Sequence, residues 1–321
     1  MLQHLPLTNN QQAPLAAATV QTRARLCQSD WATLRQGHAR VKFHSYIPRA
    51  PLSQFVQDFW LYENYQGARE HELILPSGTF EMVFNLQDDE LRIYRPSDPQ
   101  RCRRFPGAVV SGPYTGPFMS DAAEETSLLG VHFRPGGAIG VLGLPAAEFR
   151  DAHVDLRTLW GPPSGELRER LCELKESTSK FRLLEAALLQ RLATYRGGHS
   201  AVRTALDVVR RSDGRARTRD IARAVGLSQR RLITLFSNEV GQTPKMFGRI
   251  RRFQHAIARS RRTTAIDWAQ LAAECGYFDQ SHLIRDFAEF ASVSPDAYRR
   301  HHCLLDSAGA HTKRHHLPIA H

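Results

Sequence analysis

The clearest pattern along the chain is the alternation in residues 79–86. There Phe80, Met82, Phe84 and Leu86 take every second place between Thr79, Glu81, Val83 and Asn85. A period of two puts the apolar set on one face of a pleated strand and the other set on the opposite face. Turn chemistry brackets the run, with Pro76-Ser77-Gly78 before it and Gln87-Asp88-Asp89 after it. Residues 91–94 are the expected hairpin partner, and Val109-Val110 and residues 127–133 supply further short strands among Gly/Pro punctuation. Helical spacing then takes over. Leu167, Leu171 and Leu174 share one helix face, Leu184, Leu188 and Leu192 share another, and Gly197-Gly198 is the expected end of the second helix and of the first domain. These leucine faces suit a dimer contact, and packing on the chain's own β-domain accounts for them equally well.

Beyond the two glycines the chain reads as short helices. Val202, Leu206 and Val209 form a stripe on a helix over 200–212, with Ser200 as its expected cap. A repeat follows. Ile221-Ala-Arg-Ala-Val-Gly-Leu227 answers Leu271-Ala-Ala-Glu-Cys-Gly-Tyr277, then Leu232 and Phe236 answer Leu283 and Phe287, and Thr243-Pro244 answers Ser294-Pro295. The offset is 50 residues before the glycine and 51 after it, so the second copy holds one inserted residue. Two helices crossing at about 90–120° through a short turn need a small residue where they touch, hence Ala222 and Ala272. The chain must also reverse through a positive φ, which Gly226 and Gly276 accept without a steric penalty. Ser228 and Asp279 stand where caps of the second helices belong, and Thr264-Ala-Ile-Asp267 resembles a capping box before Trp268. Such a repeat is a tandem helix-turn-helix; the alternative is a helical module that binds protein.

Charge favours the first reading. Residues 199–302 hold 19 Lys/Arg against 10 Asp/Glu, and 18 of those cations are Arg, whereas residues 1–198 are nearly balanced at 22 against 21. Arginine suits bidentate contacts to phosphate and guanine. Five widely spaced cysteines offer neither a zinc framework nor paired disulfides, which points to reduced thiols and a cytoplasmic setting. No apolar run approaches the roughly 20 residues of a membrane span.

The second copy also carries a family signature. Gly276-Tyr-Phe-Asp-Gln-Ser-His-Leu-Ile-Arg-Asp-Phe287, followed by Ser294-Pro-Asp-Ala-Tyr298, resembles the second DNA-binding unit of the AraC/XylS family of bacterial transcription regulators. Ser292 departs from the repeat, standing where the first copy has Gly241. Leu75-Pro-Ser-Gly-Thr-Phe-Glu-Met-Val-Phe-Asn85, Ser111-Gly-Pro113 and Phe133-Arg-Pro-Gly-Gly-Ala138 are similar to the sensory domain that precedes this region in one subgroup. The resemblance implies a small barrel-like effector or dimerisation module, and a long linker helix (about 245–259) between two units that read successive major grooves. It also implies double-stranded DNA as partner, RNA polymerase, a small-molecule effector and a homodimer as further partners, and a nucleoid-associated location.

The expected fold class is α+β. A β-rich, barrel-like domain with a helical extension covers 41–198, and an all-α domain of two helix-turn-helix units joined by a linker helix covers 199–302. Residues 1–40 and 303–321 are expected to be disordered, the histidines at 301, 302, 315 and 316 lacking any carboxylate or cysteine framework. Outward residues of the first recognition helix are Gln229, Arg230, Ile233 and Thr234, and of the second Gln280, Ile284 and Arg285, all candidates to read bases; Arg231 is a further candidate that suits base or phosphate equally. Ser281 and His282 are the phosphate candidates. Effector-pocket candidates are Glu81, Asn85 and His132. Glu81 can line a pocket and meet a cationic ligand, or face water. His132, with no second His and Glu nearby, reads as packed or half-exposed. Gly136-Gly137 lacks a phosphate-binding frame, and neither a metal nor a cofactor site is expected. No catalytic constellation is legible, so a sensor-domain enzyme addressed to DNA is the weaker alternative to a transcription regulator.

Overall fold

The computed structural model of the chain describes residues 42–65, 71–121, 126–261, 266–300 and 316–318, which lie in one compact unit. The expected extension at 1–40 and most of the tail fall outside these residues. The N-terminal strands are β1 (Lys42–Tyr46), β2 (Val56–Tyr65), β3 (His71–Ile74), β4 (Glu81–Asn85), β5 (Glu90–Arg95) and β6 (Asp98–Pro106). After them come β7 (Ala108–Ser111), β8 (Phe118–Asp121), β9 (Thr126–Phe133), β10 (His153–Asp155) and β11 (His316–Pro318). They pair antiparallel in two sheets, β1-β2-β9-β4-β7-β10 and β11-β3-β8-β5-β6. The helices are α1 (Ile139–Leu142), α2 (Leu156–Trp160), α3 (Pro163–Glu173), α4 (Ser177–Leu192) and α5 (Ser200–Arg211). The series continues with α6 (Thr218–Ala224), α7 (Gln229–Val240), α8 (Pro244–Ser260), α9 (Trp268–Glu274) and α10 (Gln280–Ala291).

Strand alternation sorts the first sheet into two faces. Phe59, Leu61, Met82, Phe84, Val110, Leu129 and Val131 pack against Leu167, Leu171, Phe181, Leu184 and Leu188 of α3 and α4 in one core. Each such side chain contributes about 1.5–3 kcal/mol when taken fully out of water. Leu167, Leu171, Leu184 and Leu188 of α3 and α4 are therefore covered by the chain's own sheet, the second of the two readings of these leucine faces. Trp60, Tyr62, Val83 and Leu128 cluster on the sheet's other side.

Several local expectations need correction. Residues 90–95 do not form a hairpin with β4: they pair with β6 and β8 in the second sheet, while β4 lies between β7 and β9. The cause is the turn, where Asn85 Oδ1 accepts from the backbone N–H groups of Gln87 and Asp88 (both 3.0 Å) and bends the chain across to the other sheet. Helix α4 stops at Leu192, short of Gly197, and Tyr195 then packs edge-on against Phe55. His199, not Ser200, caps α5, its Nδ1 accepting from Ala201 N–H. Asp267 is itself the cap of α9 rather than the closing residue of a capping box, accepting from Ala269 and Gln270. His316–Pro318 forms a short strand on β3, where the sequence suggests an unstructured tail. An open sheet edge accepts any extended segment, so no side-chain pattern announces it.

In the C-terminal half the repeat folds as its spacing predicts. Gly226 (φ +67°) and Gly276 (φ +77°) make the turns, and Ser228 and Asp279 cap α7 and α10. Ser292 takes the left-handed conformation (φ +55°) that Gly241 takes (φ +86°) at the end of the first copy. The first unit closes on Val202, Val209, Ile221, Ala222, Leu232 and Phe236. The second closes on Phe253, Trp268, Leu271, Ala272, Leu283 and Phe287, and its core also takes in Leu73, Leu75 and Met119 from the second sheet. Arg249 of α8 clamps α10, its guanidinium 2.6 Å from Asp286 Oδ1 and 2.6 Å from Glu289 Oε2, with Asp286 only 1% exposed.

Two substitutions test this packing. Arg249→Ala leaves the buried Asp286 without its cation and should lower unfolding free energy by about 3–5 kcal/mol, measured by denaturant titration. Gly226→Val should cost about 1–3 kcal/mol through backbone strain alone, since no atom lies within 4 Å of the place a Cβ would take there; an unchanged midpoint would refute the strained turn.

Candidate nucleic-acid interface and an internal cavity

The two recognition helices are built alike. In α7 the Ser228 hydroxyl accepts from Arg231 N–H (3.2 Å) while Leu232, Phe236 and Val240 are buried. Gln229, Arg230, Arg231, Ile233 and Thr234 are all exposed. In α10 the Asp279 carboxylate accepts from His282 N–H (2.7 Å), and Leu283, Phe287 and Phe290 are buried. Gln280, Ser281, Ile284 and Arg285 are exposed. Arg230 and Arg231 are exposed, and neither forms an ion pair with a described residue. His282 differs from its neighbours: it is half-buried, with its ring edge-on to Tyr277 at 5.2 Å. Phe278, which sequence periodicity passes over because it precedes the cap, is 92% exposed beside the start of α10.

A cavity of about 480 Å³ lies between the two sheets. Glu81 and Asn85 line it, as does Trp60; His132 does not. Asn85 holds the turn described above and donates from Nδ2 to Glu90 O (3.1 Å), so its amide serves the fold. His132 stands behind Glu81, not alone. Its Nδ1 donates to Asp58 Oδ1 (2.7 Å) and its Nε2 lies 3.1 Å from Glu81 Oε1. Asp58, 74 residues away in sequence, could be found only once β2 and β9 were paired. Register extends this arrangement into a polar row across five strands: Asp58, His132, Glu81, Ser111 and His153 are successive cross-strand partners.

The two histidines of the row have opposite electrostatics. Burial opposes charge on His132, but the Glu81 charge and the hydrogen bonds to Asp58 and Glu81 outweigh it and hold its pKa up at about 10. Burial pushes His153 down to about 3, against the attraction of Glu81 and with the help of Arg103. His153 is therefore neutral. The Tyr114 hydroxyl lies 2.6 Å from its Nδ1, and burial raises the tyrosine's own pKa, so the phenol donates and the imidazole hydrogen sits on Nε2.

Contacts join the cavity's surroundings to the helices. Gln242, fully buried between α7 and α8, donates from Nε2 to Tyr114 O (2.9 Å). Arg150 donates to Gly241 O (2.9 Å) and Gln254 to Pro76 O (2.6 Å).

Residues 221–301 match the family described as a helix-turn-helix domain. The chain carries an AraC-type helix-turn-helix domain. It is a DNA-binding transcription regulator. Upstream of the helix-turn-helix domain, residues 44–155 match a domain of unknown function (DUF6597). No curated protein matches the chain. Among solved structures, an apo variant of ToxT from Vibrio cholerae aligns over 75% of this chain and 97% of its own, at 11% identity and a TM-score of 0.42. ToxT from the same organism bound to an unsaturated fatty acid aligns over 83% and 97%, at 10% identity and a TM-score of 0.41. A likeness this distant transfers no residue. No described helix is long and apolar enough to cross a membrane.

The histidine row sets a pH dependence. The raised pKa of His132 contributes stability that is complete below its ordinary 6.5 and is lost as pH rises towards about 10. The lowered pKa of His153 works on the acid side, its contribution falling away as pH drops from 6.5 towards about 3. The melting temperature should therefore decline on both sides of neutrality. His132→Gln should flatten the alkaline limb and His153→Gln the acid one in pH-resolved thermal melts; limbs unmoved by both changes would exclude these groups as their source.

Proposed function

We propose that the protein is a ligand-controlled regulator that reads two successive turns of the major groove with α7 and α10. The observation that carries the reading is the pair of matched helices. Each is locked by a buried inner face and offers uncommitted polar residues at its N-terminal end. Arg230 and Arg285 suit guanine, Gln229 and Gln280 suit adenine, and Ile233 and Ile284 suit thymine methyl groups. Arg231 and Thr234 stand beside them for further base-edge contact. Ser281 serves phosphate, and His282, braced by Tyr277, offers its ring edge to the groove wall. Phe278 adds an apolar surface against sugar or a thymine methyl. The excess of arginine over residues 199–302 supplies the salt-dependent part of the affinity.

The cavity is the effector site in this reading. Its far wall is the second sheet, whose other face is in the core of the second helical unit, and His153 reaches the α7–α8 junction through Tyr114 and Gln242. The protein acts on nucleoid DNA in the cytoplasm, with RNA polymerase and a second copy of the chain as further partners at the promoter.

Selection of bound sequences from random DNA tests the reading on the intact chain. Binding should fall steeply with salt, and Arg230→Ala should cost about 1–3 kcal/mol and relax preference at one base position. His282→Ala should weaken all sequences about equally. A chain indifferent to DNA at low salt would end the proposal, and a motif changed by His282→Ala but not by Arg230→Ala would reverse the two roles.

A further inference from the structure

DNA binding makes no direct use of the cavity between the sheets, yet its volume of about 480 Å³ lies in the range of small-molecule sites, about 300–1,000 Å³. Val83, Val109 and Leu128 line it from the first sheet, and Ile74, Ile93 and Phe118 from the second.

The charges on these walls are already answered. Glu81 has the imidazolium of His132 at 3.1 Å. Glu90 holds Arg92 (2.5 Å) and Arg104 (2.8 Å), and Asp121 also meets Arg92 (3.3 Å). Asp89 pairs with Arg168 (2.5 Å), and Asp88 is exposed to water. Among the described lining residues Arg92 is the one cation, and two carboxylates share it. An ionised ligand would therefore give up its water without gaining a buried counter-charge, which is costly for either sign. The cationic ligand that Glu81 allows on sequence grounds has no unpaired buried carboxylate to meet.

What the walls do offer is a pair of hydrogen-bond donors. Ser111 and His153 line the cavity as direct register partners on β7 and β10, a pairing that sets Cβ atoms about 4.5–5.5 Å apart. Each is only 6% exposed. The imidazole is locked in place, with Tyr114 at its Nδ1 (2.6 Å) and Phe118 edge-on at 4.7 Å. Its hydrogen sits on Nε2, so imidazole and hydroxyl both present a donor. Neither of these two groups bonds to a described residue. Buried polar atoms left in this state belong to a ligand or to ordered water. A carbonyl oxygen, with two lone pairs, can accept from both.

We propose that the cavity binds an uncharged, mainly apolar molecule through one carbonyl oxygen, which accepts from the Ser111 hydroxyl and from His153 Nε2–H. The body of the molecule lies between the hydrocarbon of the two sheets. The biological meaning of this inference rests on the reading of the cavity as effector site.

Four probes on one skeleton test it on the intact chain by calorimetry at pH 7: α-tetralone (a neutral ketone), tetralin (its parent hydrocarbon), α-aminotetralin (cationic) and α-tetralincarboxylate (anionic). Tetralone should bind one site per chain, about tenfold or more tighter than either ion. Ser111→Ala should weaken tetralone about threefold or more relative to tetralin, which has no oxygen to lose a bond. His153→Phe, which keeps a ring and removes the N–H, should act in the same direction. A preference for either ion would overturn the proposal, as would a tetralone-to-tetralin ratio unmoved by both variants. Binding of none of the four by a chain that still binds DNA would do the same and leave the DNA reading standing. Ranked binding that leaves DNA affinity unchanged would instead sustain the neutral-ligand site and remove its regulatory role.

Discussion

A strand sends successive side chains to opposite faces, and in β3 and β8 this constraint ties two halves of the protein together. Leu73 and Met119 face the core that contains Phe253, Phe287 and Trp268, while Ile74 and Phe118, one residue along, face the cavity. No filler separates the two. A displacement of either strand that made room in the cavity would also move atoms packed in the second helical unit, because interiors this dense have little slack. The helical domain is thus not a bead on a string. It shares a wall with the sheets, and Gln242 and Gln254 add hydrogen bonds to that wall at Tyr114 and Pro76.

The first sheet has the same two-sidedness with a different chemistry. Its outer face is continuous hydrocarbon under α3 and α4, and its inner face carries the row from Asp58 to His153. A row of polar side chains inside a sheet is tolerable only when its members satisfy one another. At the Asp58 end they do so as an ion-paired trio. At the His153 end they stop short, with a hydroxyl and an imidazole opening on the cavity.

The C-terminal half was largely legible in the sequence because its determinants are local. Ala222 and Gly226, Ser228, Leu232 and Phe236 all act within one or two helical turns, and the second copy repeats them. The alternation at 79–86 likewise identified a strand and its buried face. Strand partnership was not legible: the turn at Asn85 sends β5 into the other sheet, and nothing in residues 90–95 distinguishes the two destinations. Glu81 carried a visible ambiguity between pocket and solvent, and the pocket side of it is what the structure displays. Its companions Ser111 and His153, like Asp58 beside His132, come from strands far apart in the chain, and only register assembles them.

One feature of the recognition helices bears on how such a protein changes over generations. The side chains that hold α7 and α10 in place point inward, whereas Gln229, Arg230, Ile233, Gln280 and Ile284 point outward and carry no tertiary hydrogen bond or ion pair among the described residues. Where Thr234 and Arg285 do form bonds, they reach only the carbonyls of Arg230 and Ser281, one turn back in their own helices. Fold and address are therefore written in separate letters. The outward set can drift, or be exchanged by design, toward a new operator while the scaffold keeps its melting point.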